Sequence, residues 1–257
     1  MANFNISFIG AGNVGEALCK SLFSAGQNII TVSSGRGDSA SLLAGEVGAT
    51  VVRDGTIPDE CDIVILAVPD NAIADVAAGI PHEKKAVVVH TAGGADMNLL
   101  NRSARAGVLY PLQTFSRGIT PDLQKVPFFI EATDRQSLEM IRELAGLIGS
   151  VIYECDSEHR KYLHLAAVFI NNFSNFMMTS GEDIARKAGF DPEVMRPLME
   201  ETFRKILNIG PSAAQTGPAV RHDTETIKSH IELLSFSPEY QKLYQLISDM
   251  ICGYGKK

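Results

Sequence analysis

The glycine spacing near the N-terminus constrains this chain more than any other feature. Residues 5–9 form an apolar, strand-like run, and Gly10-x-Gly12-x-x-Gly15 follows directly, before a helix-like segment. A tight turn, close backbone approach to a pyrophosphate and close helix–strand packing each need a glycine there, and a helix N-terminus attracts the anion. The segment therefore predicts a dinucleotide site; the alternative is a Rossmann-type turn that no longer binds nucleotide. The candidate cofactor contacts are Gly10, Gly12, Asn13, Val14 and Gly15.

The first 155 residues alternate strand-like and helix-like segments. Residues 62–68 are nearly all apolar, which is typical of a parallel strand buried on both faces, and residues 85–91 are predicted to be another buried strand. Residues 135–148 carry one apolar helical face. The alternation predicts an α/β fold, with a doubly wound parallel sheet of the Rossmann type over residues 1–155. Further strands are predicted at residues 29–33, 49–53, 107–110, 127–131 and 151–155.

Beyond residue 156 no strand pattern recurs. A long helix is predicted over residues 157–187, with Ser157 as its N-cap. Later helices are predicted to begin at Asp191-Pro192, Asp223 and Pro238. The sequence thus predicts a second, all-helical domain over residues 156–257, which the long helix joins to the first.

The end of the second strand distinguishes NAD from NADP. NAD-binding folds carry an acidic residue there for the ribose hydroxyl, but this chain has Ser33, Ser34, Gly35 and Arg36. An arginine with two hydroxyls suits a 2′-phosphate, because charge-assisted hydrogen bonds to phosphate are strong. The pattern therefore favours NADP over NAD, and the alternative is that Arg36 is a solvated loop residue.

Two further strand ends carry candidate cofactor contacts. In open parallel sheets, ligands bind beyond the carboxyl ends of the strands. Val68 and Pro69 follow one strand and Thr91 ends another, so we expect them near the ribose or nicotinamide. The neighbouring His90 is expected to be structural, satisfied by backbone.

Polar residues interrupt two otherwise apolar stretches and are candidate substrate contacts. Gln113 and Thr114 follow a predicted strand, although an ordinary turn would explain them equally well. His164, Asn171 and Asn172 lie on the long helix at spacings of seven and eight, near one helical face. Histidine, with a reference pKa of about 6.5, suits proton donation, and either asparagine could hold an oxygen or amide. The alternative is a buried His–Asn network that fixes packing.

A second polar cluster follows Gly217-Pro218. Arg221 would bind a carboxylate bidentately, and Asp223 would orient Arg221 or cap the next helix, on which His230 lies. A structural ion pair with capping is the alternative.

Composition limits the partners. The net charge of −7 argues against nucleic acid and anionic membranes. Four dispersed cysteines without a Cys-x-x-Cys pair indicate reduced thiols and a cytoplasmic protein. No apolar run has membrane-spanning length, and no metal site is predicted.

Several of these segments together resemble a known family. Gly10–Gly15, 90–93, 111–115, 164–172 and 217–223 occur in this order. They look like the bacterial Rossmann-like proteins with a helical DUF2520 C-terminal domain, which are described as candidate NADP oxidoreductases. More distantly, the chain resembles pyrroline-5-carboxylate reductase, the F420-dependent NADP reductase and the 6-phosphogluconate dehydrogenase superfamily.

The chain departs from the family pattern at two positions. Tyr110 stands where histidine often precedes Pro-Leu, which we expect to remove an ionisable group from the site. His222 stands where glycine often precedes Asp. The resemblance implies the fold and the cofactor but no substrate.

These observations predict an NADP-dependent oxidoreductase. Hydride would pass between the nicotinamide and a small, anionic carbonyl or imine compound, with the hydride chemistry belonging to the cofactor. His164 would handle the proton, Asn172 would orient the substrate and Arg221 would bind its charge. The alternatives are an NADP(H)-binding regulatory or sensor protein without turnover, and a scaffold with a defunct pocket.

The resemblance also implies a homodimer formed through the helical domain. A stripe of apolar residues on the last helix could contribute to it, or could only pack internally. The stripe is Tyr240, Leu243, Tyr244, Ile247 and Ile251.

Overall fold

The computed structural model describes residues 3–35, 37–53, 55–119 and 121–254. The chain divides into two compact units, Met1–Asn171 and Asn172–Lys257. The boundary predicted after residue 155 instead follows the end of the last strand, Glu154, and stays a prediction.

One sheet organises the first unit. Within the described residues it has eight strands in the order β3-β2-β1-β4-β5-β6-β7-β8. The order reverses at β1, which pairs in parallel with both β2 and β4, so a crevice opens beyond the carboxyl ends of these strands. The strands are β1 (Asn5–Ile9), β2 (Asn28–Ser33), β3 (Thr50–Val51), β4 (Ile63–Leu66), β5 (Val87–His90), β6 (Ala106–Pro111), β7 (Pro127–Ala132) and β8 (Val151–Glu154).

One strand pair departs from the predicted parallel arrangement. β7 runs antiparallel to β6, with Leu109 opposite Ile130, and β8 is again parallel to β7. A parallel pair needs a long crossover, usually a helix. Among its described residues, the connection from β6 to β7 contains one short 3-10 turn, Leu123–Lys125, and the chain returns antiparallel. The prediction of a doubly wound α/β sheet is confirmed, with this one reversal.

Helices cover both faces of the sheet. In β4, Ile63 and Ile65 pack into one buried cluster and Val64 and Leu66 into another, as alternation along a strand requires. This two-sided burial explains the nearly continuous apolar run. The helices of the first unit are α1 (Asn13–Ser24), α2 (Gly37–Val47), α3 (Ile73–Ala78), α4 (Arg135–Ile148) and α5 (Ser157–Ala167). Further 3-10 turns lie at Asp70–Ala72 and Met97–Leu100.

The long helix differs from its prediction in two details. Asp156, rather than Ser157, is the N-cap of α5 and accepts a hydrogen bond from the His159 backbone N–H. A π-helical segment, Val168–Phe173, follows α5. Because a π turn holds more residues than an α turn, the 3.6-residue spacing no longer decides which asparagine shares a face with His164.

The second unit contains helices and 3-10 turns in its described residues, as the sequence predicts. The helices are α6 (Ser174–Lys187), α7 (Arg196–Ile209), α8 (Pro211–Ala214), α9 (Thr224–Leu233) and α10 (Pro238–Tyr254). The 3-10 turns are Pro192–Met195 and Leu234–Phe236. In the part of the chain that the structure describes, no helix combines the length and apolarity needed to cross a membrane.

Candidate functional site

A cavity of about 690 Å³ lies beyond the carboxyl ends of β1, β2 and β4. Its walls include residues 10–13 of the glycine turn, Ser34 and Gly35 after β2, and Val68 and Pro69 after β4. Contacts predicted from three separate parts of the sequence therefore line one cavity. Its position is the one at which open parallel sheets bind dinucleotides.

The three motif glycines are needed for different reasons. Gly10 has φ 110°, and a Cβ there would lie 2.2 Å from the Ala67 carbonyl oxygen. A Cβ on Gly15 would lie 2.2 Å from the Gly10 carbonyl oxygen, so helix α1 packs directly against the turn. A Cβ on Gly12 would meet nothing within 4 Å. Gly12 thus leaves open space beside the backbone, into which a pyrophosphate fits.

Helix α1 begins at this open space. Its N-cap is Gly12, and no side chain caps the first turn. The first N–H groups of a helix have no partner within it and favour an anion. The residues present therefore fit the pyrophosphate of a dinucleotide.

Other predicted cofactor contacts have different surroundings. Ser33 is buried and its carbonyl oxygen accepts a hydrogen bond of 2.8 Å from Gly10 N–H, so its backbone supports the turn. Val14 packs against the core. Thr91 is buried, and its N–H donates to the Leu66 carbonyl at 3.3 Å. Arg36 lies outside the described residues.

Among the described residues two cationic side chains line the cavity, and only one of them is paired with carboxylates. Lys20 forms ion pairs of 2.7 Å with both Glu16 and Glu46. Arg117 lies in a tight turn on the cavity wall, with no ion pair to a described residue. The Asn13 side-chain amide donates to the Phe115 carbonyl at 2.9 Å and ties this loop to the glycine turn. Arg117 is therefore free to bind a phosphate.

His164 lies at the carboxyl end of a neighbouring strand. The Tyr110 hydroxyl, near the end of β6, is 3.3 Å from His164 Nδ1, and the rings meet edge to face. A Cβ on Gly93 would lie 2.5 Å from Tyr110 Cζ and 2.8 Å from His164 Nδ1. A Cβ on Gly94 would lie 3.4 Å from Asp70 Oδ2 and 3.3 Å from His164 Cδ2. Position 93 thus has to be glycine for the Tyr110 and His164 side chains to come together, whereas the contacts at position 94 are only slightly tight.

A buried ion pair holds helix α5 against the sheet. Arg160 is fully buried and pairs with Glu131 of β7. Arg160 also donates to the Ala95 carbonyl at 2.7 Å and to Ser157 Oγ at 3.0 Å. His164 follows Arg160 by four residues on the same helix face. The Arg160 contacts therefore set the rotation of α5 that brings His164 to the Gly93 turn.

Tyr110 and His90 have shifted pKa values. Burial raises the pKa of the Tyr110 hydroxyl, while the positive charge of Arg160 opposes this. Burial, and then the same arginine, lowers the pKa of His90 to about 4. His90 Nδ1 accepts a hydrogen bond of 3.2 Å from the Ala92 N–H, whereas Nε2 is buried without a hydrogen-bond partner in the described part of the chain, so the backbone satisfies one of the two ring nitrogens.

The remaining substrate candidates are exposed. Gln113 and Thr114 lie in the loop after β6, where the Gln113 side chain accepts a hydrogen bond of 2.8 Å from the Thr114 N–H. Asn171 and Asn172 lie in the π-helical segment, at the end of the first unit and the start of the second. No cluster of three or more histidine, cysteine or acidic side chains suited to a metal occurs in the described ranges.

In the second unit, Asp223 has a structural role. Its carboxylate caps α9 by accepting hydrogen bonds from the Thr226 N–H and hydroxyl, at 3.1 and 2.7 Å. Arg221 is exposed. His222 has φ 55°, a left-handed conformation that glycine adopts most easily, which explains the glycine typical of the resembled family. His230 Nδ1 lies 2.7 Å from the Tyr244 hydroxyl, within the same unit.

Sequence reasoning missed several residues that build the His164 site. Tyr110 was expected to remove an ionisable group, yet its hydroxyl contacts His164 directly. Asp70, Arg160 and Arg117 were not singled out. A signal existed for Tyr110 and Asp70, because both lie at carboxyl ends of strands, where ligands bind. Arg160 and Arg117 carried no local signal.

The fold and the cavity define a dinucleotide-binding protein of the Rossmann class. Residues 5–94 match the family described as NADP oxidoreductase, coenzyme F420-dependent, and residues 126–251 match the domain of unknown function DUF2520. A solved structure of a candidate NADP oxidoreductase from Bacteroides fragilis is 38% identical, with a TM-score of 0.91 and a match covering 98% of each chain. This chain belongs to that DUF2520-containing NADP oxidoreductase family, and its cofactor is NADP.

More distant relatives are reductases. Pyrroline-5-carboxylate reductase from Corynebacterium melassecola is 25% identical over 171 residues, which span 60% of each protein. An imine reductase from Myxococcus stipitatus, solved in complex with NADP+, is 16% identical, with a TM-score of 0.63 and a match covering 97% of this chain and 92% of that one. At that identity the likeness establishes the fold alone.

Proposed function

We propose that this protein uses NADPH to reduce a small, anionic carbonyl or imine compound. The observation that carries the proposal is the convergence of His164, Tyr110 and Asp70 on the Gly93–Gly94 turn. That turn ends β5, at the same sheet edge where the glycine turn ends β1. Proton-carrying groups thus lie on the edge that binds the dinucleotide. The reductases among the more distant relatives support this reaction class.

The reaction divides between cofactor and protein. Bound NADPH supplies a hydride to the substrate carbon and becomes NADP+. The oxygen or nitrogen attached to that carbon takes up a proton, and we assign its delivery to His164. A ring N–H within hydrogen-bond reach of that atom is the geometry that general acid catalysis requires.

Arg221 and Asn172 stay proposed substrate contacts. Arg221 is exposed and would bind a carboxylate through its planar guanidinium. Asn172 would hold a substrate oxygen. Asp223 is proposed to support Arg221 indirectly, because it fixes the start of α9 just after it.

A turnover assay with matched histidine variants tests the proposal. NADPH oxidation would be followed against a panel of small carboxylate-bearing ketones and imines. We expect turnover with at least one compound and a loss of about 100-fold or more in His164→Ala, with NADPH affinity retained. His159→Ala removes an exposed histidine of the same helix and is the control. Unchanged turnover in His164→Ala would refute the assignment of His164.

A regulatory role is the second candidate, supported by the same cavity. A protein that binds NADPH tightly but oxidises it with no compound of the panel would be a sensor of the cofactor.

We also propose a homodimer through the helical unit. Phe203 and Leu207 lie four residues apart on α7 and are 46% and 85% exposed. Phe176 and Leu198 add further exposed apolar surface to this unit. Exposed apolar residues that form a contiguous patch mark a protein interface. By contrast, two tyrosines of the predicted stripe form hydrogen bonds inside the unit, Tyr240 with Asp183 and Tyr244 with His230.

Sedimentation equilibrium tests the dimer. We expect a dimer for the unmodified protein and a monomer for Leu207→Glu, while Ile119→Glu, at an exposed position of the first unit, stays dimeric. A monomeric unmodified protein would contradict the proposal. The four unpaired cysteines agree with the cytoplasmic location that we also propose.

A further inference from the structure

We propose that Tyr110 is a positioning residue that holds His164 as a neutral imidazole with its proton on Nε2. The inference deepens the proposed function and rests on it, because it specifies the form in which His164 meets the substrate.

The donor in the Tyr110–His164 hydrogen bond can be identified from the groups available to each partner. A ring nitrogen 3.3 Å from a hydroxyl can be donor or acceptor. Tyr110 is 7% exposed, and buried hydroxyl protons almost always have an acceptor. His164 Nδ1 is the acceptor that the structure offers to Tyr110. If Nδ1 donated instead, the buried hydroxyl proton would need another partner. Tyr110 therefore donates, and Nδ1 carries no proton.

The packing around the pair preserves this geometry. The Tyr110 ring lies 6.4 Å from Phe129 and edge-on to His164 at 6.1 Å, and Gly93 lies flush against both side chains. A side chain at position 93 would displace both rings. The hydroxyl is thus fixed at Nδ1, and the proton of the neutral imidazole stays on Nε2.

This form of His164 restricts the substrate. Nε2–H needs a lone pair on the atom that receives the proton. A carbonyl oxygen or an unprotonated imine nitrogen has one, whereas an iminium nitrogen that already carries its proton does not.

The proton count balances without charging the histidine. When the Nε2 proton passes to the substrate heteroatom, the Tyr110 hydroxyl proton moves to Nδ1. The Nδ1 proton then returns to the phenolate as Nε2 takes up a proton from solvent, which restores the starting tautomer. Arg160 supports this step, because its positive charge stabilises the phenolate and opposes the rise of the Tyr110 pKa caused by burial.

Nitrogen NMR of the histidine ring tests the inference without a substrate. The full-length protein, labelled with 15N-histidine and saturated with NADP+, would be measured at a pH where His164 is neutral. The His164→Asn variant assigns the signals. We expect an unprotonated, hydrogen-bonded Nδ1 and a protonated Nε2.

Two tyrosine variants complete the test. Tyr110→Phe keeps the packed ring and removes the hydroxyl, so the Nδ1 signal should move toward that of an unbonded nitrogen. Tyr153→Phe changes a half-exposed tyrosine of β8 and should leave the signal in place. A protonated Nδ1 in the unmodified protein, or an Nδ1 signal unchanged in Tyr110→Phe, would overturn the inference. Neither result depends on turnover, so the turnover assay with His164→Ala stays a separate test.

Discussion

The two ends of the candidate site lie on one sheet edge but are built from different atoms. At the glycine turn the backbone forms the site. Gly10 and Gly15 allow close packing because they lack side chains, and Gly12 leaves space for the pyrophosphate. At the Gly93 turn, side chains make it, because His164 and Tyr110 come from a helix and a strand far apart in the chain. A backbone site depends on local conformation, whereas a side-chain site depends on long-range packing.

The largest expected effect breaks the backbone end. Gly10→Ala places a Cβ 2.2 Å from a carbonyl oxygen in a conformation with φ 110°. We expect a loss of about 3 kcal/mol or more in the free energy of unfolding and no NADPH binding. Urea unfolding and fluorescence titration with NADPH measure the two effects.

Gly12→Ala is the matched control for that change. Its Cβ meets open space and its φ of −83° suits alanine, so stability should stay within about 0.5 kcal/mol. NADPH affinity should still fall, because the methyl group occupies the pyrophosphate space. Unchanged affinity in Gly12→Ala would contradict the position of the pyrophosphate.

The next largest effect is expected when the ion pair that positions His164 is removed. Arg160→Met leaves the Glu131 carboxylate, which is 16% exposed and keeps its hydrogen bond from Ser157 Oγ, without its cation, which should cost about 3 kcal/mol. Arg160→Met combined with Glu131→Gln should recover most of that loss, because no buried charge remains. Urea unfolding of the unmodified protein, the two single variants and the double variant gives the double-mutant cycle. An equal loss in the double variant would show that packing, not charge, dominates.

The contrast between a backbone site and a side-chain site also explains how much of each could be predicted from the sequence. The glycine turn, the sheet and the helical second unit follow from local patterns, since spacing alone identifies them. The antiparallel β7 was missed because the length and content of a loop, not the strand itself, decide direction. His164 was singled out as a polar residue in an apolar helix. Tyr110 lay at a predicted strand end, but no local pattern linked it to His164, because their contact spans 54 residues.

Acid should destabilise the side-chain end. His90 has a pKa of about 4 in the folded protein against about 6.5 when unfolded. The unfolded chain therefore binds the proton first, so stability is full above pH 6.5 and falls as the pH drops. We expect His90 to account for about 2 kcal/mol of loss between pH 7 and pH 5. His90→Asn should show a shallower fall in urea unfolding; an equal slope would contradict the prediction.

The smallest effect is expected at the one side chain that we propose to bind phosphate beside the glycine turn. Arg117→Gln removes an exposed cation that is free to bind a phosphate. We expect NADPH affinity to fall by roughly 5- to 10-fold, equivalent to about 1 kcal/mol for an exposed charge. Calorimetric titrations with NADP+ and NAD+ distinguish the phosphates: an NADP-specific loss indicates the 2′-phosphate, and an equal loss the pyrophosphate. No loss with either cofactor would contradict the prediction.

A crystal structure with NADP+ bound tests the central claim most directly. The claim is that the glycine turn and the His164 site serve the two ends of one cofactor. The account predicts the pyrophosphate at Gly12 and the nicotinamide C4 near the Gly93 turn, leaving space for a substrate within about 3 Å of His164 Nε2. An ordered nicotinamide directed away from the Gly93 turn, with His164 out of reach of any substrate at C4, would contradict it.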